Sequence, residues 1–159
     1  MTTLMYPSVE AMLDAARSGL RRLSVIDAVE AVRNGARIVD IRPAWQRARE
    51  GEIADSLVVE RNHLEWRLHP DSAARLPQAH GGQRWIVVCS EGYTSSLAAA
   101  SLRSIGIDAT DLIGGVHAWF AEGLPLIAGP TRVEEVSGAA ELADLGDLGG
   151  PHIAGKAAH

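Results

Sequence analysis

One segment of this 159-residue chain is especially informative about its architecture: Trp85-Ile86-Val87-Val88-Cys89-Ser90-Glu91-Gly92-Tyr93-Thr94-Ser95. Its first four residues are aromatic or β-branched, which predicts a buried strand. A polar loop with one glycine follows, and residues 95–104 then show the apolar spacing of a helix that ends before Gly106. The turn and the helix N-terminus direct backbone N–H groups toward Cys89, the only cysteine of the chain. This arrangement predicts a nucleophilic thiol.

Strands and helices alternate along the rest of the sequence. Helices are predicted up to Gly19 and from 25 to 34, where Ser24 is placed to cap the second helix. Further strands are predicted at 36–41, 57–59 and 109–113, and further helical segments at 64–68 and 116–122. Strands that alternate with helices are typical of an α/β fold in which helices cover both faces of a central parallel sheet.

Length and composition restrict the function classes. The length suits one domain, with 47% hydrophobic and 22% charged residues. No apolar stretch approaches the roughly 20 residues that cross a bilayer, and no basic-then-apolar leader is present, so we expect a soluble cytoplasmic protein with no membrane partner. A net charge of −5 with scattered basic residues argues against nucleic acid as a partner. The lone cysteine excludes an internal disulfide and favours a reducing compartment.

The sequence divides into three parts by composition. Residues 1–22 are predicted to form an N-terminal helical extension, and residues 23–127 the domain itself. Residues 128–159 are rich in glycine and alanine, and from Gly129 onward they hold two basic against five acidic residues. Such a segment buries little apolar area against its ordering entropy, so we expect a flexible acidic tail.

Three strand ends supply the candidate site. In an open parallel sheet, ligands bind beyond the carboxyl ends of the strands, because the loops and helix N-termini converge there. Cys89 follows one such end, Asp40 and Arg42 follow a second, and Arg61 lies just beyond a third. These loops are predicted to border one pocket, with Arg61 placed to receive an anionic substrate unless it is simply a solvated surface residue. Asp40 and Arg42 are predicted to support the site through local hydrogen bonds and ion pairing.

The loop after Cys89 is the predicted substrate-binding cradle. A thiol with a pKa near 8.5 is mostly protonated at neutral pH, and backbone amides beside a helix N-terminus favour the thiolate. Glu91 opposes the thiolate, and no Lys or Arg lies between Cys89 and Arg103, so amides and hydroxyls must stabilise the anion. The alternative is a cysteine buried for packing alone. The predicted binding residues are Ser90, Glu91, Gly92, Tyr93, Thr94 and Ser95.

Neither a metal nor an organic cofactor is expected. The six histidines lack the spacing of metal ligands, and no second cysteine accompanies them. The four tryptophans are interpreted as packing residues.

Four motifs, in this order, resemble those of rhodanese-like sulfurtransferases. They are Val39-Asp40-Ile41-Arg42-Pro43, Gly51-Glu52-Ile53, Cys89-Ser90-Glu91-Gly92-Tyr93-Thr94-Ser95-Ser96, and Gly114-Gly115-Val116-His117-Ala118-Trp119 with Gly123-Leu124-Pro125. The resemblance implies a three-layer α/β fold over residues 23–127 with helices on both faces of the sheet. It also implies that Cys89 carries a persulfide between a thiosulfate-like or mercaptopyruvate-like donor and a thiol or other nucleophilic acceptor. A partner protein that receives the sulfur is one of the acceptors that this role allows.

Two positions depart from the family pattern. Glu52 stands where the family often has histidine, and Thr94 stands where many single-domain members place an arginine that could hold the sulfonate of thiosulfate. A non-catalytic binding or sensing module on the same scaffold is therefore the alternative function. A third alternative is a phosphatase or an arsenate reductase. Such enzymes have a loop that is one residue longer and ends in arginine, whereas Ser95 and Ser96 occupy that region here, so the sequence disfavours this function.

Overall fold

The computed structural model describes residues 4–139 of the chain. Its elements, in chain order, are α1 (Val9–Ser18), α2 (Val25–Arg33), β1 (Arg37–Asp40), α3 (Ala44–Glu50), β2 (Leu57–Val58), α4 (Leu64–Leu68), β3 (Arg84–Val88), α5 (Thr94–Ser104), β4 (Asp108–Asp111) and α6 (Gly115–Ala121). A short 3-10 turn, Arg61–His63, precedes α4. The Ser24 side chain caps α2 by accepting a hydrogen bond from the Asp27 amide at 3.2 Å, as predicted.

The four strands form one parallel sheet in the order β2-β1-β3-β4. Asp40 of β1 pairs with Val88 of β3, and Val87 pairs with Asp111 of β4. The carboxyl ends of these three strands therefore lie side by side, and the segments that follow them meet at one edge of the sheet. The predicted α/β fold with a central parallel sheet is confirmed.

Alternate strand residues supply two apolar cores, one on each face. Val39 and Val87, both fully buried, pack with α4 and α5, whereas Ile38 and Ile86 pack with α2 and α6. Burial on both faces explains why β3 reads as a continuous apolar run rather than an alternating one. Cys89 belongs to the core on the α5 face.

The loop after β3, residues 89–95, is called the cysteine loop below. Gly92 has φ = 86°, a left-handed conformation that side chains other than glycine rarely adopt. A Cβ atom at this position would lie 2.7 Å from the Gly114 amide nitrogen, in the turn between β4 and α6. Neighbouring backbone therefore requires glycine here, and the turn holds the cysteine loop in place.

The segment after α6 is held by the buried carboxylate of Glu52. This carboxylate receives hydrogen bonds from Arg47 Nη1 at 2.7 Å, Thr131 Oγ1 at 2.6 Å and Ser137 Oγ at 2.9 Å. Burial raises the pKa of Glu52, but the hydrogen bonds from Thr131, Arg47 and Ser137 outweigh it and lower the pKa below the ordinary carboxyl value. The departure from the family pattern at position 52 thus creates an anchor for the segment that follows α6.

The predicted flexible tail is docked in its first part. Val136 forms an antiparallel bridge with Leu57 of β2, and Arg67 Nε donates to Glu134 at 2.8 Å. Residues 128–137 are therefore attached to the domain by polar contacts together with the packing of Val136 against the core, and composition alone does not reveal these contacts. The remainder of the predicted tail, residues 140–159, lies outside the described residues.

Two glycines with matching backbone conformation test the close packing of the cysteine loop. Gly106 has φ = 85°, and a Cβ atom added there would meet no atom of residues 4–139 within 4 Å. Gly92 has φ = 86°, but a Cβ atom added there would lie 2.7 Å from the Gly114 nitrogen. We expect Gly106→Ala to lower the free energy of unfolding by about 1–2 kcal/mol, the cost of left-handed backbone for an L-residue. Gly92→Ala should lower it at least twice as much in urea unfolding, and equal losses would contradict the packing described.

Glu52→Gln tests the buried ion pair, because it leaves the guanidinium of Arg47 without its carboxylate. We expect it to lower the free energy of unfolding by about 3 kcal/mol or more, the order seen when one partner of a buried pair is removed. Glu135→Gln, which removes an exposed carboxylate 3.9 Å from Arg132, is the control and should cost less than about 1 kcal/mol in the same urea titration.

The same pair gives a pH dependence. Because folding lowers the pKa of Glu52, its stabilisation is present above the ordinary carboxyl pKa and is lost as the pH falls through the lowered value. The stability difference between the wild type and Glu52→Gln should therefore shrink on acidification. A difference that stays constant from neutral to acidic pH would show that the ionised carboxylate is not what stabilises the fold.

Candidate active site

Cys89 forms part of the wall of a cavity of about 400 Å³, called the cysteine cavity. The cavity is lined by Trp45, Gln46, Arg49, Glu50, Cys89, Ser90, Glu91, Tyr93, Thr94 and His117. Cys89 is only 4% exposed, because the rest of its surface packs into the core on the α5 face. A reagent must therefore enter this cavity to meet the sulfur.

The cysteine loop turns a backbone donor onto the sulfur. The amide of Gly92 donates to Cys89 Sγ at a distance of 3.2 Å. A hydrogen bond is stronger when its acceptor is ionised, so this amide is placed to donate to a sulfur anion. The prediction that loop amides face Cys89 is supported at this position by direct geometry.

Further amides of the cysteine loop have no acceptor within residues 4–139. They belong to Ser90, Glu91, Tyr93, Thr94 and Ser95. All of these residues except Ser95 line the cysteine cavity, and α5 begins at Thr94 without a side-chain cap. Unpaired amides beside the positive end of a helix favour a bound or covalently attached anion.

Glu50 connects the cysteine loop to α6. Its carboxylate accepts hydrogen bonds from Ser90 Oγ at 2.6 Å, from Arg42 Nη1 at 3.1 Å and from His117 Nε2 at 2.8 Å. Burial raises the pKa of Glu50, but the hydrogen bonds from Ser90, His117 and Arg42 lower it below the ordinary value. His117 Nδ1 also lies 3.7 Å from Glu91, so two carboxylates and one imidazole share one side of the cavity.

Arg49 is the cation that this cavity offers to an anionic ligand. It is exposed and has no carboxylate within 4.0 Å among residues 4–139. Arg49 and Trp45 are four residues apart on α3, so both project from the same side of the helix into the cavity wall.

Asp40 and Arg42, predicted as supporting residues, form a buried ion pair beside the site. Arg42 donates to both carboxylate oxygens of Asp40, with Nε at 3.0 Å and Nη2 at 2.7 Å, and both side chains are buried. Neither lines the cysteine cavity. Their contact with the site passes through Glu50, which Arg42 holds next to Ser90.

Three predicted binding residues do not line the cysteine cavity: Gly92, whose amide contacts the sulfur, and Arg61 and Ser95, which lie elsewhere. Arg61 donates to both carboxylate oxygens of Glu65 at 3.0 Å and borders a different cavity, because the 3-10 turn and α4 bring this carboxylate beside it. Ser95 is buried and its hydroxyl donates to Asp111 at 2.8 Å, so it anchors the loop instead of facing the cysteine cavity. Glu91, Tyr93 and Thr94 do line that cavity.

The sequence analysis missed the contribution of α3 and α6 to the cavity. Trp45, Arg49 and Glu50 come from the helix that follows β1, and His117 from the helix that follows β4. The available signal was topological, since helices that begin at adjacent strand ends place their first turns at the same edge of the sheet.

The described part of the chain holds neither a metal-binding cluster nor a membrane-spanning helix. Within residues 4–139, no group of three or more His, Cys, Asp or Glu side chains is arranged to hold a metal ion. None of the helices in that range has the length and apolar character to traverse a bilayer.

Comparison with known proteins identifies the family. The family model of the rhodanese-like domain matches residues 24–122. A protein of unknown function from Rhodopseudomonas palustris, described as a possible tyrosine phosphatase, is 30% identical with a TM-score of 0.69, over 79% of this chain and 98% of that one.

Two further structures share the fold. A rhodanese-related protein from Thermoplasma volcanium is 24% identical, with a TM-score of 0.55 over 69% of this chain and 99% of that one. A thiosulfate sulfurtransferase from Pseudomonas aeruginosa is 23% identical, with a TM-score of 0.58 over 71% of this chain and 20% of that longer one. No curated protein sequence matches the chain. Since the family model spans more than half of its length, the chain belongs to the rhodanese-like domain family.

Proposed function

We propose that this chain is a sulfurtransferase that carries sulfane sulfur as a persulfide on Cys89. The observation that carries the proposal is the 3.2 Å hydrogen bond from the Gly92 amide to Cys89 Sγ, in the wall of a cavity whose lining residues hold further unpaired amides. This cradle suits a sulfur anion, and the lone thiol that it holds suits a reducing compartment such as the cytoplasm.

The first step loads the sulfur. The Cys89 thiolate attacks the outer sulfur of a donor, either the sulfane sulfur of thiosulfate or the thiol sulfur of a mercaptopyruvate-like compound, whose remainder leaves as the enolate of its keto acid and takes up a proton. A bond forms between the two sulfur atoms, the bond from the outer sulfur to the rest of the donor breaks, and the electron pair of that bond leaves with the donor remnant. For thiosulfate the remnant is sulfite, and the enzyme keeps a persulfide anion. Amides of the cysteine loop stabilise this anion.

The second step unloads it. An acceptor thiolate attacks the terminal sulfur of the persulfide, the sulfur–sulfur bond to Cys89 breaks, and its electron pair returns to Cys89 as a thiolate. The acceptor becomes a persulfide, and no net oxidation or reduction is needed. Either a small thiol or a cysteine on a partner protein satisfies this balance.

The charges in the cavity favour small anionic donors that approach Arg49. Arg49 is exposed and attracts anions, whereas Glu91 and Glu50, which flank His117, repel them. Thr94, at the position where many relatives place an arginine, gives no charge to the loop itself. Arg49 is therefore assigned to receive the sulfonate or carboxylate of the donor.

A non-catalytic binding or sensing module is the second candidate. The carboxylates of Glu50 and Glu91 beside the loop favour it, because like charge disfavours a thiolate. A phosphatase, the function suggested by the description of the Rhodopseudomonas protein, requires a cation at the end of the loop, and Ser95 and Ser96 stand there instead.

Intact-mass measurement tests the persulfide directly. After incubation with thiosulfate or with 3-mercaptopyruvate, in separate experiments, we expect the wild-type chain to gain the mass of one sulfur atom and Cys89→Ser to gain none. Cyanide should remove the added mass, which is the control for a sulfane sulfur. An unmodified wild-type chain with both donors would instead support the binding module.

Arg49→Gln tests donor binding by a cavity cation. We expect it to raise the KM for thiosulfate about three- to tenfold with little change in kcat, since it removes one partly solvated charge contact with the donor. Arg103→Gln on α5 removes an exposed charge outside the cavity and is the matched control. If both variants show the same KM, Arg49 does not bind the donor.

A further inference from the structure

We propose that Arg17 and Arg22 are positioning residues for the cysteine loop, which they hold and polarise through the carbonyl of Gly92. The inference deepens the proposed function and rests on it where the persulfide is concerned. It assigns a role to the N-terminal segment, since both arginines precede the residues 24–122 that the family model matches.

Both arginines bind the same backbone oxygen. Arg17 Nη2 donates to the carbonyl of Gly92 at 2.7 Å, and Arg22 Nη2 donates to it at 3.0 Å. Arg17 Nε also donates to Ser96 Oγ at 3.0 Å, and the guanidinium lies 5.7 Å from the centre of the Tyr93 ring. These contacts tie α1 and the segment after it to the start of α5.

The two peptide units that meet at Gly92 have separate tasks. The amide of Gly92 donates to the sulfur of Cys89, while the carbonyl of Gly92 faces the two guanidinium groups. The bond between Gly92 and Tyr93 is trans, so the Tyr93 N–H points away from the oxygen that the arginines hold. This N–H has no acceptor within residues 4–139, and hydrogen bonds to its carbonyl partner make it a stronger donor.

The cluster behind the loop has a net positive charge. Arg22 is paired with the buried carboxylate of Asp111, with Nε at 3.0 Å, and the same carboxylate accepts hydroxyls of Ser95 and Ser96 at 2.8 Å. Arg17 has no carboxylate within 4.0 Å among the described residues, so its charge is not cancelled by an ion pair. A cation that the loop lacks in its own sequence is thus supplied from α1.

The other charged groups near the sulfur stay constant in the test. Those that line the cavity are Glu50, Glu91, Arg49, His117 and the phenol of Tyr93, and the Arg22–Asp111 pair contacts the loop from outside the cavity wall. None of them is replaced in Arg17→Gln, so a shift between variants reports the loss of Arg17, including its contact with the Tyr93 ring.

Arg17 is the better residue to replace, because removing Arg22 would leave Asp111 buried without its partner. The readout is the midpoint of the pH profile for alkylation of Cys89 by iodoacetamide. We expect Arg17→Gln to raise this midpoint and to slow alkylation at pH 7 about three- to tenfold, the size of a partly exposed charge acting on a nearby anion.

Arg21→Gln is the matched control, since it removes an adjacent exposed positive charge whose side chain has no hydrogen bond or ion pair within residues 4–139. It should leave the midpoint unchanged. Arg17→Lys keeps the charge and should recover part of the shift. Thermal unfolding of each variant confirms that the comparison is made between folded proteins.

The inference is overturned if the midpoint of Arg17→Gln coincides with that of Arg21→Gln, or if Arg17→Lys recovers nothing. Alkylation needs no sulfur donor, so the result stands even if the persulfide is never detected. Conversely, normal persulfide loading with an unshifted midpoint would preserve the proposed function and remove the role of Arg17.

Discussion

The chemistry of this site depends on the left-handed turn at Gly92. The turn bends the chain back so that the Gly92 amide reaches the Cys89 sulfur at 3.2 Å. The carbonyl of the same residue faces the guanidinium groups of Arg17 and Arg22. A Cβ would collide with the turn before α6, so the close approach is available only to glycine. Loop conformation, packing against the neighbouring turn and access of the sulfur to amide donors are therefore one constraint rather than three.

The surroundings of the sulfur combine opposing charges from different elements. Carboxylates on α3 and in the cysteine loop disfavour a thiolate, while the amides of the loop, the start of α5 and the arginines of the N-terminal segment favour it. The Gly92 amide contacts the sulfur directly, whereas the field of the largely exposed Glu91 is screened by solvent. A backbone cradle is consequently able to hold an anion in a cavity whose rim is partly acidic.

Local sequence patterns predicted the parts of the site that depend on neighbours in the chain. Residues 85–104 contain the apolar run before Cys89, the glycine turn and the apolar spacing of α5. Asp40 likewise lies only two residues from Arg42, which donates to it. Contacts between distant segments carried no such signal. Arg17 and Gly92 are 75 residues apart, and only the packing of α1 on α5 brings them together.

The position of Arg61 could have been predicted correctly from its neighbours in the sequence. The strand-end rule placed Arg61 at the pocket, but Glu65 lies four residues later and pairs with it across one helical turn. By contrast, the docking of Thr131 on Glu52 joins residues 79 apart through polar groups. Composition reports apolar content and not polar contacts. It therefore predicts a flexible segment after residue 128, although Thr131 and Ser137 bind the buried carboxylate of Glu52.

The buried arginines also explain why α3 forms a reliable wall for the cavity. Arg42, two residues before this helix, donates to Asp40 and to Glu50 at the last position of the helix, and Arg47 within the helix donates to Glu52. A buried charge that loses its partner is strongly destabilising, so alternative placements of α3 are disfavoured. The orientation of Glu50 toward Ser90 is therefore set by groups that never contact a substrate. Glu52 belongs to this framework and affects the site only through the position of the helix.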